Sequence, residues 1–254
     1  MLGWFLPYIF MGSAQRRLAS TGVPVFAWHK IADPPPATTD PFLYVSPRVF
    51  DQQLRSLRAA GFASTGLSEA RNAPTMPQPK AVLTFDDGFE NVLENGLPLL
   101  LRHGWVAIQF LVAGCLGGRN EWDVAKGDVP AALMDTSQVR TWLSAGMEIG
   151  SHSLTHRNLR RLDLPAAREE ISGSKKALED RFGVTIQHFC YPYGSWNESV
   201  RDLVREAGYL TASTLRFGVN SPLTPPLELR RIYSLSSREM LAKIRNRLAR
   251  KLSR

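Results

Sequence analysis

The chain has 254 residues, 44% apolar and 21% charged, with 19 Gly and 17 Pro. That mix excludes wholesale disorder, a collagen-like repeat and a disulfide scaffold, and the length can hold one large α/β domain around a sizeable core. The net charge of +8 is uneven: residues 238–254 hold seven basic side chains against Glu239 alone, leaving +6 in the tail and +2 on residues 1–237. A near-neutral body is not expected to bind nucleic acid.

In chain order, residues 1–20 open with an apolar and aromatic stretch (Trp4, Phe5, Tyr8, Phe10) that is too short to span a bilayer. Arg16 and Arg17 follow this stretch instead of preceding it, the reverse of a secretory signal. The expected location is therefore cytoplasmic, either free or peripheral at the inner membrane face. Short apolar runs then alternate with amphipathic stretches, the pattern of repeated β–α units. Val23–Trp28, Ala81–Phe85, Val106–Val112, Met147–Gly150, Thr185–Tyr191, Tyr209–Ser213 and Leu229–Leu235 read as strands. Helical patterns lie between them: Phe50, Leu54 and Leu57 share a face before Gly61, and similar spacing runs through Val92–Arg102, Gln138–Ala145, Pro165–Phe182 and Glu198–Ala207. Asp33–Pro47, Ala73–Pro79 and Leu116–Met134 read as loops. Residues 21–236 thus form one α/β domain, either a barrel or an open sheet.

Residues 237–254 place Leu241, Ile244, Leu248 and Leu252 on one stripe ringed by Arg and Lys. This predicts an amphipathic helix, packed on the body or lying on an anionic membrane. The two cysteines, Cys115 and Cys190, are far apart and form no metal motif. The oligomeric state is left open by the sequence.

Three strand ends carry chemistry. Thr84-Phe85-Asp86-Asp87-Gly88 puts two adjacent carboxylates after an apolar strand. Pleating would send one of them into the core unless the strand ends there and both project into a cleft. The same residues also suit an ordinary turn or helix cap. Ser151-His152-Ser153-Leu154-Thr155-His156 places two imidazoles four residues apart, on one helical face or converging from a tight turn. Two imidazoles plus one carboxylate leave an open position on a zinc-like ion. Phe189-Cys190-Tyr191-Pro192-Tyr193-Gly194 ends a strand irregularly. This is either a simple turn or a backbone that aims an N–H at an oxyanion.

Together and in this order, the three segments resemble the signatures of the polysaccharide deacetylase family (the NodB-homology domain of carbohydrate esterase family 4). Trp28-His29-Lys30-Ile31, Val45–Phe50 and Gly146–Gly150 add to the likeness, which runs from Val23 to Leu235. The resemblance implies a distorted (β/α) barrel of about seven strands. It also implies hydrolysis of an N-acetyl group on an amino sugar in a polysaccharide, oligosaccharide or lipid-linked saccharide. By the same resemblance Asp86 is the general base, Asp87, His152 and His156 hold a divalent metal such as zinc, and the Tyr193 N–H binds the oxyanion.

Two departures stand out. Many members carry Arg where this chain has Cys190, and Arg230 or Arg231 is then the candidate substitute. The late Leu-x-His that supplies the general acid is replaced by Leu229-Arg230-Arg231. His29, at the end of the first strand, becomes the candidate for substrate binding or for the missing acid, since barrel sites are built at strand C-termini. Tyr191, Trp122 and Trp196 are candidate sugar-stacking rings. The alternatives are an O-acetyl esterase and a catalytically silent carbohydrate-binding member of the fold.

Overall fold

The structure, a computed structural model, describes residues 22–71 and 79–233. The two terminal segments, most of the Ala73–Pro79 loop and the end of the last expected strand lie outside the described residues.

Among the described residues nine strands form one sheet: β1 (Val23–Trp28), β2 (Ala63–Ser64), β3 (Lys80–Phe85), β4 (Ala107–Leu111), β5 (Glu148–Ser151), β6 (His188–Cys190), β7 (Thr211–Phe217), β8 (Val219–Asn220) and β9 (Leu229–Tyr233). The order β3-β4-β5-β6-β7-β9-β1 closes on itself through parallel pairing of β1 with β3, in which Val25 faces Val82 and Trp28 faces Phe85. The result is a seven-stranded parallel barrel, with β2 and β8 added at its margin. Each barrel strand overlaps one of the seven apolar runs, although β7 starts two residues later than expected and extends to Phe217, and barrel closure leaves none of those seven with a free edge.

Helices cover the outside. The main ones are α1 (Pro47–Ala59), α2 (Leu97–Arg102), α3 (Thr136–Ser144), α4 (Leu164–Arg168), α5 (Ser174–Phe182) and α6 (Glu198–Glu206), and a single turn, Glu121–Val124, lies in the long loop after β4. Local chemistry sets their starts. Ser46 caps α1 by accepting from the Val49 N–H with Pro47 at the first position, and Asp135 and Gln138 form a reciprocal box on α3. The predicted apolar face of α1 is the buried one: Phe50, Leu54 and Leu57 are fully enclosed. Strand alternation divides the core into two layers. Phe26, Trp28, Leu83 and Phe85 face the helices, where Trp28 stacks on Phe85 at 5.6 Å and meets Phe50 edge-on at 5.4 Å. Val25, Val82, Ile108, Phe110, Cys190 and Leu229 fill the other layer, inside the barrel.

Two long loops on the C-terminal side are strapped together by a buried lysine. Lys30 is wholly enclosed, with its Nζ 3.3 Å from the Tyr44 hydroxyl and 3.9 Å from Asp128, and it lies over the rings of Tyr44 and Phe89. Asp128 also accepts from the Thr38 hydroxyl and the Thr39 N–H. An ammonium taken from water needs these partners, so the strap fixes the spacing of the loops that wall the cleft.

Candidate active site

At the C-terminal mouth of the barrel, a cleft of about 350 Å³ is lined by His29, Asp86, Asp87, His152, His156 and Tyr193, among others. All six sequence-predicted site residues therefore share one cavity.

β3 ends at Phe85, and the chain turns at once. Asp87 has φ 72° and Gly88 φ 85°, and the Asp86 N–H donates to the Trp28 carbonyl. Asp86 follows the inward positions Val82 and Thr84. Its neighbour reaches the same cleft only through the left-handed backbone, a conformation that costs a non-glycine residue energy and clusters at functional sites. Both carboxylates are buried.

Asp86 is held by Arg231. The guanidinium forks onto both carboxylate oxygens, at 2.7 and 2.8 Å, and is itself fully buried. Burial by itself would raise the Asp86 pKa, but the Arg231 charge, followed by His29, holds it below the ordinary carboxylate range. Of the two arginines considered, Arg231 is therefore the one that reaches Asp86, and Arg230 is exposed. Cys190, where an arginine was expected, packs its Sγ 3.2 Å from Arg231 and 3.7 Å from Asp86. His29 Nε2 lies 3.7 Å from Asp86 Oδ2, and the His29 side chain is partly open to the cleft.

Asp87 faces the histidines. Its Oδ1 is 3.3 Å from Nε2 of both His152 and His156, yet it accepts no hydrogen bond and is buried. Burial would raise its pKa; the two imidazoles outweigh that and hold it well below the usual range. His152 Nδ1 is 2.7 Å from the Cys190 carbonyl, which makes Nδ1 the protonated nitrogen and leaves the Nε2 lone pair toward Asp87. Each imidazole nitrogen lies 3.3 Å from the unsatisfied carboxylate oxygen, which matches the edge of a tetrahedral zinc site, and all three atoms lie within 4.8 Å of one another. The residues fit a divalent cation. A second trio, Asp86, His152 and Cys190, is also close enough together. It is the poorer site, because Asp86 is already paired with Arg231 and burial pushes the Cys190 thiol up.

The histidines converge from a tight turn, not from a helix. Ser153 and His156 are left-handed (φ 67° and 60°), and the Ser153 hydroxyl accepts the His156 N–H. The sequence gives no sign of the residue that anchors this turn. Glu170 is buried and takes the N–H groups of Leu154 and Thr155, at 3.0 and 2.8 Å, together with the Thr155 hydroxyl. It lies in a π-helical stretch, Glu169–Gly173, that joins α4 to α5. Such widened turns are frequent at functional sites. Gly114 lets the next loop pass: a Cβ there would sit 2.7 Å from the Leu154 carbonyl oxygen.

Tyr193 also adopts φ 58°, and its N–H donates to no group among the described residues. Gly194 is required beside it, since a Cβ would meet Leu215 at 2.2 Å. The candidate stacking rings separate. Trp122 lies flat on His156 at 4.3 Å and lines the cleft. Tyr191 is buried against Trp196, with its hydroxyl on the Leu227 carbonyl.

Residues 73–212 match the family model described as Polysaccharide deacetylase. The chain is 24% identical over 203 residues to YxkH of Bacillus subtilis (strain 168), a protein named for that family, covering 78% of this chain and 66% of the relative. It is 26% identical over 133 residues to the poly-beta-1,6-N-acetyl-D-glucosamine N-deacetylase of Escherichia coli (strain K12), covering 51% of this chain and 19% of that protein. The chain thus spans less than two thirds of the length of these relatives. The fold is also that of the Streptococcus pyogenes deacetylase PplD, with a TM-score of 0.73 at 22% identity over 88% of this chain and 98% of that one. A sequence match across more than half the chain, running through the strand ends that bear both carboxylates and both histidines, places it in the polysaccharide deacetylase family.

Proposed function

We propose that the protein hydrolyses the N-acetyl group of an amino sugar within a saccharide. The division of labour between two adjacent carboxylates carries this reading. Asp86 is kept ionised despite its burial by Arg231 and stands beside His29, while Asp87 is left unsatisfied between two imidazoles. A divalent cation held by Asp87, His152 and His156, zinc by its donor set, would supply Lewis-acid polarisation of the acetyl carbonyl and of the attacking water.

The chain's own groups do the rest. Asp86 stays ionised and takes a proton from the water. Tyr193 lines the cleft, and its N–H, which donates to no group among the described residues, suits a developing oxyanion. His29, next to Asp86, delivers a proton to the departing amine. Relatives named as N-deacetylases of poly-N-acetylglucosamine support an N-acetyl substrate.

The test is acetate release from N-acetylglucosamine oligosaccharides before and after a chelator, then with zinc restored. Release that is lost and regained supports the reading. Release only from O-acetylated sugars would replace it with an esterase, and binding of glycan without release would make the protein a silent module. Changing His29→Gln is expected to lower kcat about 10²-fold or more while zinc affinity holds. Turnover within a few-fold of wild type would take the acid role away from His29.

A further inference from the structure

The turn that carries His156 runs directly into a basic segment. Arg157, Arg160 and Arg161 are all exposed, and the buried Leu159 pins the short 3-10 turn Leu159–Arg161 to the core. Arg157 and Arg161 line a cleft of about 660 Å³ that shares Trp122, Lys126, His156 and Tyr193 with the catalytic cleft. Arg160 and Arg161 line its continuation, of about 420 Å³, with Asn158 and Ser195. No acidic residue lines either part.

Among the described residues the three guanidinium groups have no ion pair and donate no hydrogen bond. This sets them apart from the arginines nearby. Arg201 and Arg216 are neutralised by Glu228 at 3.3 and 2.9 Å, and Arg168 by Glu206 at 2.7 Å. Asp163, two residues further on, is occupied in capping α4. A row of unpaired guanidinium forks beside an active site is suited to oxyanions, which they bind in bidentate fashion.

We infer that this groove binds an oxyanion on the glycan, a phosphate or a carboxylate on a sugar unit next to the one being deacetylated. The substrate is then an anionic saccharide rather than a neutral homopolymer. The inference rests on the deacetylase reading for its substrate, but the groove's affinity for anionic sugars can be measured without turnover.

Three probes separate the alternatives: a neutral N-acetylglucosamine tetramer, the same tetramer with a reducing-end phosphate, and an N-acetylglucosamine–glucuronate tetramer. Binding is followed by calorimetry and kcat/KM by acetate release, using the zinc-loaded full chain. The wild type should favour at least one anionic probe about tenfold or more, with a preference that falls as salt rises. In Arg157→Gln/Arg160→Gln/Arg161→Gln the anionic-to-neutral ratio should drop toward one. In Arg55→Gln, remote on α1, the ratio should hold. Which anionic probe is preferred distinguishes phosphate from carboxylate. Equal use of all three probes, or a preference that survives the triple change, overturns the inference. Anion binding lost in the triple variant without acetate release from any probe would sustain the groove and sink the deacetylase reading instead.

Discussion

Asp86→Asn is expected to lower kcat for acetate release by roughly 10³-fold while zinc binding persists, because general-base catalysis supplies about 10²–10⁴-fold. Asparagine keeps the size of the side chain but accepts no proton from water. Asp87, His152 and His156 are untouched, so zinc titration should give nearly the wild-type affinity. That pairing of results separates a lost base from a collapsed site. The substitution also leaves the buried Arg231 guanidinium without its counter-charge, so a drop in Tm is expected. Activity within tenfold of wild type would show that Asp86 is not the base.

Arg231→Met is expected to be the most damaging change outside the cation site. It strands a buried carboxylate, and breaking such a pair from one side costs about 3–5 kcal/mol. The pH dependence has a definite sign. In the wild type the folded Asp86 pKa lies below its unfolded value. The pair therefore stabilises the fold above the ordinary carboxylate pKa, and this is lost as pH falls through the folded pKa. Without Arg231, burial dominates and raises the Asp86 pKa, so the acid limb of kcat/KM should move to higher pH. Arg231→Lys keeps the charge but not the fork and should recover part of both losses. In an Asp86→Asn background, Arg231→Met should cost little more, because the two residues act as one unit. An acid limb that stays in place in Arg231→Met would show that the guanidinium does not tune the base.

Much of this architecture was legible in the sequence because barrel strands are short, apolar and bounded by polar loops. All seven expected runs became barrel strands, and both carboxylates, both histidines, His29 and Tyr193 line one cleft. What escaped was long-range pairing. Asp86 and Arg231 are separated by 145 positions, and no spacing rule links them. Strand alternation alone favours Arg231 over Arg230, since Leu229 and Arg231 point inward from β9. Glu170 was invisible for a different reason: it reads as one more polar position on a helix, and only the π-helical turn brings it to the histidine loop. Lys30 and Asp128 likewise meet through two loops whose conformations no periodicity dictates.

The origin of the Asp86 counter-charge has a consequence for maturation. The three groups suited to the cation come from the β3 and β5 ends, early in the barrel. The guanidinium arrives on β9, the strand that closes the cylinder between β7 and β1. In an open barrel Asp86 would meet water and need no partner; the cylinder that takes it out of water also delivers Arg231. Desolvation of the carboxylate and arrival of its counter-charge are thus a single event, and the closed barrel never holds Asp86 alone.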